Sequence, residues 1–270
     1  MPERLSSERL TYLRRRSREA RLVHITQVLL LLGAFALWEL AARMDWIDSF
    51  LLSSPSRMWE TLVGLYQSGD LWLHLGTSCL ETAVGFLLGT AVGTVIAILL
   101  WLSPRLYRII DPYLVVLSAL PKTALGPVFI VWIGAGPESI IAMTLAISLV
   151  VTILEMLGGF LATDPGKLRL IETMGASRRQ VLFKLVLPAN FATFINALKV
   201  NVGLSWVGVI MGEFLVSRAG LGYLIVYGSQ VFQMDLVMAS VLLLAVVAAG
   251  MYQLIRLLER SLKKRLEGSQ

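Results

Sequence analysis

The segment that decides the fold reads Glu172-Thr-Met-Gly-Ala-Ser-Arg-Arg-Gln-Val-Leu-Phe-Lys-Leu-Val-Leu187 and is followed by Pro188. It is basic and amphipathic, and it divides two long apolar runs. A polar segment between two membrane-spanning runs lies at the membrane surface, where a soluble protein can bind it. We therefore expect this segment, which we call the island (residues 172–188), to bind a partner within a larger machine.

The composition is that of an integral membrane protein: 56% of the residues are hydrophobic, 16% are charged and the mean hydropathy is +0.73. A membrane helix needs about 20 mostly apolar residues to cross about 30 Å of hydrocarbon. The runs that meet this requirement are 23–42, 82–102, 112–133, 139–161, 189–211 and 236–257. The sequence therefore predicts an all-α membrane protein with six transmembrane helices.

Lysine and arginine residues are concentrated in the N-terminal tail, after the second run, around the island and in the C-terminal tail. Since cytoplasmic loops carry an excess of Lys and Arg, we expect both termini and the island to be cytoplasmic. The predicted organisation is a basic tail at 1–21, a membrane domain at 22–258 with a loop at about 162–188, and a tail at 259–270. The net charge of +6 then follows from membrane topology and needs no nucleic acid.

The sequence contains no sign of catalytic chemistry. Its single cysteine, Cys79, has no partner for an internal disulfide, and its two histidines, His24 and His74, are far apart in the chain. It lacks a Gly-x4-Gly-Lys-Ser/Thr phosphate loop and a Gly-x-Ser-x-Gly nucleophile motif. We therefore expect a non-catalytic subunit that binds no metal or cofactor and draws its energy from elsewhere.

The third run contains Leu120-Pro-Lys-Thr-Ala-Leu-Gly-Pro127, which is unusual for a membrane helix. Its two prolines remove backbone hydrogen bonds, so we expect the helix to kink or break there. Lys122 lies near mid-membrane, where an ammonium group costs roughly 2.5 to 3.5 kcal/mol on insertion scales. Either it lines a substrate pathway together with Thr123, or it pairs with Glu155 or snorkels to the interface.

Small and polar residues on the other runs indicate helix contacts or a pathway. Gly85, Gly89 and Gly93 form a stripe on the second run that permits close approach of another helix. Polar residues of the fourth and fifth runs either line a path or bond a helix, and hydroxyls of the fourth can also bond their own backbone. Between the first two runs, residues 55–66 predict a short interfacial helix. The predicted substrate-pathway residues are Lys122, Thr123, Ser148, Asn201, Ser205 and Trp206.

Within the island, Gly175-Ala-Ser177 is followed, nine residues after the glycine, by Leu185-Val-Leu-Pro188. This spacing resembles the cytoplasmic loop of permease subunits of binding-protein-dependent ABC importers, which reads Glu-Ala-Ala, three residues, Gly, nine residues, Ile-x-Leu-Pro. Arg169-Leu-Ile171 stand at the Glu-Ala-Ala positions, and Glu172 comes three residues late. Residues 120–136 and 212–225 resemble the nitrate, sulfonate and taurine branch, which includes importers of thiamine-precursor pyrimidines.

The resemblance implies an ABC type I importer permease fold in the inner membrane, with six transmembrane helices and both termini cytoplasmic. It also implies the partners: a second permease subunit, expected to be identical, a separate ATPase that holds ATP and Mg, and an extracytoplasmic solute-binding protein. The residues expected at the ATPase contact are Glu172, Thr173, Met174, Gly175, Ala176, Ser177, Arg178 and Pro188. Three residues on the outer side near the gate are expected either to contact the solute-binding protein or to form interfacial structure: Glu213, Ser217 and Arg218.

The resemblance further implies import of a small organic or inorganic anion by alternating access. A heterocyclic vitamin precursor such as a thiamine-related pyrimidine is an alternative substrate, because it needs the same polar groups. Two other classes stay open from the residues alone. One is an ion-coupled secondary transporter, which would be expected to carry repeats and intramembrane carboxylates, and the other is a non-transporting membrane scaffold.

Overall fold

A computed structural model of the protein describes residues 7–267, and this part of the chain is helical, with no β-strand. The helices are α1 (Ser7–Arg43), α2 (Ser49–Leu52), α3 (Pro55–Ser68), α4 (Asp70–Leu102), α5 (Pro104–Ala119), α6 (Gly126–Ile133), α7 (Pro137–Leu161), α8 (Pro165–Thr173), α9 (Arg178–Val181), α10 (Leu187–Ala189), α11 (Phe191–Val216), α12 (Leu221–Gln230) and α13 (Met234–Glu267). A 3₁₀ turn at Lys122–Leu125 precedes α6, and a π-helical turn at Leu182–Val186 precedes α10. Residues 1–6 and 268–270 of the two predicted tails lie outside the described residues.

Five of the described helices are long and apolar enough to cross a membrane, and a bent pair supplies a sixth crossing if it counts as one span. The five are Arg21–Arg43, Asp70–Leu102, Pro137–Leu161, Phe191–Val216 and Met234–Leu262. The pair Pro104–Ala119 and Lys122–Ile133 is bent by 90°. The all-α prediction with six apolar runs is confirmed, and so is the break, where Pro121 has no N–H to donate.

Helix α4 begins earlier than the apolar pattern predicts, at Asp70 instead of residue 82. Asp70 lies in the first turn, where a carboxylate interacts favourably with the helix dipole. Gly69 separates α4 from α3 because its φ of 85° ends α3 in a left-handed conformation. The short helix predicted at 55–66 is present as α3, and its N-cap, Ser54, accepts a hydrogen bond from the Arg57 amide.

Helices α4, α7 and α11 form the centre of the bundle and approach one another closely. A Cβ added to Gly85 would lie 2.5 Å from Cγ2 of Thr144, and one added to Gly93 would lie 2.7 Å from Cβ of Thr152. A Cβ added to Gly208 of α11 would lie 2.7 Å from Cα of Thr144. The predicted close approach along the glycine stripe is therefore confirmed, and α7 is the helix that it admits.

The island is not one helix, since it divides into an exposed part and a buried part. Helix α8 ends at Thr173, and α9 with the following π-turn packs Val181, Leu182 and Val186 into the core at this end of the bundle. Pro188 explains the π-turn, because its ring has no N–H and clashes with the carbonyl four residues earlier in a regular helix. The wider turn removes that clash and leads directly through α10 into α11.

The two ends of the bundle are distinct. One end, called the α3 end, contains α3, the end of α11, all of α12, and the beginnings of α4, α7 and α13. At this end Nε and Nη2 of Arg57 donate to Oδ2 of Asp235 over 3.1 and 2.7 Å. The other end, called the α8 end, contains α8, α9 and the π-turn. Every site predicted from the sequence lies at one of these ends or in the helices between them.

Candidate functional site

Helix α8 is an exposed helix at the α8 end. Its N-cap, Asp164, accepts a hydrogen bond of 2.7 Å from the amide of Gly166, as the Asp-Pro start predicts. Leu168 and Ile171 pack against the core, whereas Leu170 is 62% exposed and Met174 is 78% exposed. An exposed helix with apolar side chains on its outer face is suited to lie in a groove of another protein.

Gly175 ends α8 and reverses the chain. It has a φ of 82°, its amide donates to the carbonyl of Glu172 over 2.9 Å, and the amide of Ala176 donates to the carbonyl of Ile171 over 3.3 Å. These two bonds and the left-handed glycine define a Schellman motif, in which a residue with a Cβ is strained. Gly175 therefore ends α8 just past its C-cap, Met174. Glu172 and Thr173 lie exposed in the last turn before it.

Ser177 and Arg178 begin α9 in a capping box. Oγ of Ser177 accepts from the amide of Gln180 over 3.4 Å, and Oε1 of Gln180 accepts from the amide of Ser177 over 2.7 Å. The Arg178 side chain is exposed, and its guanidinium lies against the end of α4, where Nη2 donates to the carbonyl of Trp101 over 3.0 Å and Cζ lies 5.3 Å from the Trp101 ring centroid. Arg178 therefore connects the island to the end of α4.

Lys122 and Thr123 are half-buried at the break between α5 and α6. Nζ of Lys122 donates to the carbonyl of Ser118 over 3.1 Å, and no carboxylate of residues 7–267 for which side chains are described forms an ion pair with it. The alternative that Lys122 pairs with Glu155 is therefore wrong in this structure. Lys122 keeps two hydrogen atoms of its ammonium group for another acceptor.

The polar residues of α7 and α11 lie in the helix interfaces. Nδ2 of Asn201 donates to Oγ1 of Thr90 over 3.3 Å and also to Oγ1 of Thr152, and Oγ of Ser148 donates to the carbonyl of Thr144 in its own helix over 3.0 Å. The sequence left three alternatives open for these residues. Asn201 bonds neighbouring helices, whereas Ser148 bonds the backbone of its own helix.

Ser205 and Trp206 are also buried, and neither Oγ of Ser205 nor Nε1 of Trp206 has a hydrogen-bond partner in the described part of the chain. Trp206 packs with Phe86 and Val202 in an apolar cluster between α4, α11 and α13. Neither residue lines the α5–α6 break. Of the predicted pathway residues, the structure therefore brings only Lys122 and Thr123 together at that position.

At the α3 end, Glu213 is an interior residue. It is 2% exposed, its Oε1 accepts from Oγ of Ser78 over 2.5 Å, and its Oε2 accepts from the amide of Gly222 over 2.5 Å. Oγ of Ser78 in turn accepts from the amide of Leu221 over 2.7 Å. The predicted contact of Glu213 with a soluble partner is corrected by this burial, because the carboxylate joins α4 to the α11–α12 turn.

The sequence analysis did not predict that Glu213 would be buried among hydrogen-bond donors, although the sequence contains a pattern that indicates it. Gly220 and Gly222 leave their amides free to approach an acceptor, and the amide of Gly220 donates to Nδ1 of His74 over 3.0 Å. A lone glutamate in an apolar helix that is followed by such a glycine pair predicts a carboxylate bound by backbone amides. The same pattern identifies the turn but not the helix that supplies Ser78.

A cavity of about 520 Å³, which we call the α3-end cavity, lies at the same end of the bundle as Glu213. Ser217 and Arg218 of the α11–α12 loop line one side of it, and Thr77 and Glu81 of α4 line another. Arg218 is exposed, whereas Glu81 is 4% exposed. The structure therefore places Ser217 and Arg218, two of the three predicted binding-protein contacts, at an accessible cavity, and it adds Glu81, which the sequence did not single out.

The sequence of the chain is similar to those of several transport permeases. The putative aliphatic sulfonates transport permease SsuC of Bacillus subtilis is 29% identical over 229 residues, which cover 85% of this chain and 83% of the relative. The taurine transport system permease TauC of Escherichia coli is 26% identical over 269 residues, which cover 98% and 95%. The formylaminopyrimidine transport permease ThiX of Halalkalibacterium halodurans is 29% identical over 195 residues, which cover 72% and 77%.

The fold is shared with solved ABC importers. The chain superposes on a permease of the MetNI methionine transporter with a TM-score of 0.61 at 19% identity, over 77% of this chain and 98% of that one. It superposes on a chain of the bacterial alginate transporter, solved with a pentasaccharide-bound periplasmic protein, with a TM-score of 0.61 at 16% identity, over 93% and 96%. The profile of the family described as "Binding-protein-dependent transport system inner membrane component" matches residues 87–267. The chain therefore belongs to this family of ABC importer permeases.

Proposed function

We propose that this permease imports a small sulfonate-type anion by alternating access, driven by an ATPase that binds α8 and supplied by an extracytoplasmic solute-binding protein. Subunits of its family are non-catalytic, and ATP is hydrolysed by the partner ATPase. ATP and Mg²⁺ accordingly belong to that partner. The observation that carries the proposal is α8, an exposed helix with Leu170 and Met174 on its outer face at the start of the island.

The α8 end is assigned to the cytoplasm. Cationic residues are dense at this end and sparse at the α3 end, and cytoplasmic loops are the ones enriched in Lys and Arg. Those at the α8 end are Arg105, Arg108, Lys167, Arg169, Arg178, Arg179 and Lys184, and those at the α3 end are Arg43, Arg57 and Arg218. Both termini are then cytoplasmic, with a basic tail at 1–21, a membrane domain at 22–258 and a second tail at 259–270.

The ATPase contact is formed by residues 172–177 and by the apolar side chains that α8 presents, and Arg178 couples this contact to the bundle. In this assignment Leu170 and Met174 enter a groove of the ATPase, and Glu172 and Thr173 contact its rim. Ala176, Ser177 and Pro188 shape the return of the chain into α9 and α11. Movement of α8 reaches the bundle because Val181 and Leu182 are fixed in the core and Arg178 is fixed to Trp101.

The pathway runs along the α5–α6 break, between this subunit and a second, identical copy. Helices α5 and α6 expose much of their apolar surface in the single chain, including Val131 at 82% and Trp132 at 77%. Such a face must be covered by lipid or by protein. With a second copy against it, Lys122 and Thr123 lie on the axis of the dimer, where the ammonium group meets a passing anion.

The sulfonate assignment rests on the names of two relatives, SsuC and TauC, and on the cations Lys122 and Arg218. The second candidate is a heterocycle of the formylaminopyrimidine type, favoured by similarity to ThiX over 72% of the chain. Membership in the ABC importer family disfavours an ion-coupled transporter and a membrane scaffold. The two substrate classes differ in charge, so a direct comparison separates them.

The test is ATP-dependent uptake by the permease reconstituted in proteoliposomes with the ATPase and the binding protein encoded beside it. Labelled taurine, an alkanesulfonate and a formylaminopyrimidine are supplied separately. The proposal expects uptake of at least one sulfonate and none of the pyrimidine. A permease variant with Leu170→Asp and Met174→Asp serves as the coupling control, because two carboxylates on α8 oppose binding in an apolar groove. Uptake of the pyrimidine alone, or no ATP-dependent uptake of a sulfonate, contradicts the proposal.

A further inference from the structure

Two buried carboxyl groups lie together at the α3 end. Glu81 of α4 is 4% exposed, Glu213 of α11 is 2% exposed, and the two side chains are hydrogen-bonded to each other. A hydrogen bond between two carboxyl groups needs a proton on one of them, because two carboxylates offer only acceptors. The pair therefore holds at least one proton.

The surroundings of the two groups identify the one that carries the proton. Glu213 accepts hydrogen bonds from Oγ of Ser78 and from the amide of Gly222, each over 2.5 Å, as a carboxylate does. Oε2 of Glu81 is closed to solvent and receives no hydrogen bond from the described part of the chain. An unpaired buried oxygen costs far less in a neutral acid than in a carboxylate. Glu81 is therefore the acid, and its O–H donates to Glu213.

The pair has no cation to neutralise a second negative charge. Nδ1 of His74 accepts from the amide of Gly220 over 3.0 Å, so the imidazole is bound in its neutral form. Arg218 is exposed and forms no ion pair with a carboxylate for which a described side chain is available. The titratable and charged side chains around the pair are Asp70, His74, Cys79, Glu138, Arg218 and Tyr223.

The pair joins α4 to the turn between α11 and α12. Ser78 of α4 donates to Glu213 and accepts from the amide of Leu221, and a Cβ added to Gly220 would overlap the carboxyl group of Glu213. The turn therefore lies directly on this carboxyl. Because like charges repel strongly in a buried site, ionisation of Glu81 beside Glu213 favours separation of α4 from the turn.

We propose that Glu81 is a proton-binding site that controls closure of the α3 end. With its proton, Glu81 donates to Glu213 and α4 stays joined to the α11–α12 turn, whereas without it the two carboxylates repel and the elements separate. The proton passes from Glu81 to water when the end opens and returns from the same side when it closes, so no net proton crosses the membrane. This inference rests on the proposed function only in assigning the α3 end to the outside.

The proposal fixes the direction of the pH dependence. The closed form binds one more proton than the open form, so a rise in pH favours the open form. For a single proton the ratio of open to closed molecules changes by up to about tenfold per pH unit. Closure is thus strongest at low pH and is lost as the pH rises.

The test uses Cys79, the single cysteine of the chain, as a probe of opening. Cys79 is half-buried next to Ser78 and packs against the apolar cluster between α4, α11 and α13, so separation of these elements exposes it. The permease–ATPase complex is treated with iodoacetamide from about pH 7 to about pH 9.5, above the ordinary histidine pKa of about 6.5. Mass spectrometry of the Cys79 peptide gives the alkylation rate. Division by the rate for the unfolded chain at the same pH corrects for ionisation of the thiol.

The corrected rate of the wild type is expected to rise at least about threefold over this pH range, because the open form gains population. Glu81→Gln has an NH₂ group that donates to Glu213 at every pH, so its rate should stay low and change by less than about twofold. Glu81→Leu has no donor and should be alkylated rapidly throughout. Glu138→Gln is the matched control, since Glu138 is the exposed acidic residue of the first turn of α7, and it should follow the wild type.

Two checks separate opening from other effects of pH. A new negative charge on Glu81 makes a neighbouring thiol harder to ionise, so a faster rate in the wild type reports exposure of Cys79 and not a more reactive thiol. The unfolding midpoint, measured with Cys79→Ser to remove the thiol, should fall more steeply with rising pH when residue 81 is Glu than when it is Gln.

Two results overturn the inference. One is a corrected alkylation rate of the wild type that does not change over the pH range, and the other is the same pH dependence in the wild type and in folded Glu81→Gln. Either result leaves the proposed function intact, because the measurement needs no transported solute. Absence of ATP-dependent sulfonate uptake by the reconstituted system overturns the proposed function and leaves the proton site in place.

Discussion

The guanidinium of Arg178 lies over the indole of Trp101, 5.3 Å from the ring centroid, and its Nη2 donates to the Trp101 carbonyl over 3.0 Å. Trp101 is buried near the end of α4, so this contact ties the first residue of α9 to a central helix of the bundle. The adjacent Arg179 carries the same charge and is exposed, as Arg178 is, but no contact with Trp101 is described for it. Substitutions of Arg178 and Arg179 can therefore be compared, because each removes one positive charge but only the first removes the contact with Trp101.

Replacement of Arg178 by Ala is expected to separate ATP hydrolysis from transport. The contact combines a cation–π interaction of about 0.5 to 1 kcal/mol, the range for an exposed cation, with a hydrogen bond from a charged group of about 1.5 to 3 kcal/mol. Its loss leaves α8 free to move without α4, so we expect uptake to fall severalfold while the ATPase remains active and bound. Arg179→Ala is the control and should retain uptake. Equal effects of the two substitutions would show that charge, and not the contact with Trp101, matters.

Gly175→Ala is expected to weaken binding of the ATPase. The φ of 82° costs an alanine roughly 1 to 2 kcal/mol, although no atom lies within 4 Å of the added Cβ. Gly175→Asn should be milder, because asparagine tolerates the left-handed conformation. The readout is the fraction of ATPase that copurifies with the permease. Gly158→Ala, in the interior of α7 with open space around it, should behave as the wild type. The same loss for Ala and Asn would mean that the backbone conformation is not the cause.

Gly89→Ala is expected to destabilise the bundle, because the new Cβ would overlap the side chain of Ser148 on α7. Overpacking of this kind costs about 1 to 3 kcal/mol. The double variant Gly89→Ala with Ser148→Gly should recover most of the lost stability, since the overlapping atoms are then absent. Unfolding midpoints in detergent measure both effects.

Gly76→Ala lies on the same helix with no atom within 4 Å of the added Cβ, and it should be neutral or slightly stabilising. Failure of the double variant to recover stability would place the cause outside the contact between Gly89 and Ser148.

Glu213→Gln is expected to lower stability without a direct effect on a soluble partner. Both oxygens of Glu213 accept hydrogen bonds, whereas glutamine presents an NH₂ group to one of the two donors, Ser78 or the Gly222 amide. A buried unpaired donor costs about 1 to 3 kcal/mol. The unfolding midpoint should fall, and the affinity of folded protein for the solute-binding protein should not. Unchanged stability with weaker binding of that protein would restore the surface role predicted from the sequence.

Lys122→Met is expected to reduce uptake and substrate-stimulated ATP hydrolysis together, because the pathway loses its cation at the α5–α6 break. Lys122→Arg keeps the charge and should retain much of both activities. The bend itself should persist in both variants, since Pro121 and the 3₁₀ turn produce it. Unchanged uptake in Lys122→Met would remove Lys122 from the pathway.

Features that depend on local chemistry were predictable from the sequence. Pro121 fixes the break because it lacks an N–H, Gly175 ends α8 because it adopts a left-handed conformation, and Gly85 to Gly93 admit a helix because they lack side chains. None of these requires knowledge of a distant residue. The apolar runs likewise identify the membrane helices from their own composition.

The partners of polar side chains were not predictable, because they are set by packing between distant segments. Asn201 bonds Thr90 and Thr152 of two other helices, and Glu213 bonds Ser78 of α4. The sequence presents each of these only as a polar residue in an apolar run, which suits a pathway, a surface or an interface equally. Whether such a residue lies in a pathway, at the surface or in an interface becomes clear only from its burial, which depends on how all the helices pack.

The π-turn at Leu182–Val186 lies in the part of the island that leads into α11, so the number of residues in the island determines how α11 is rotated about its own axis. Each residue of an α-helix advances the side-chain direction by about 100°, so one insertion between Leu182 and Pro188, where the π-turn already holds an extra residue, would turn α11 by nearly a third of a revolution. Asn201 would then point away from Thr90 and Thr152, and Glu213 away from Ser78. The number of residues in the island thus sets the orientation of polar groups far along the next helix, whatever side chains the island carries.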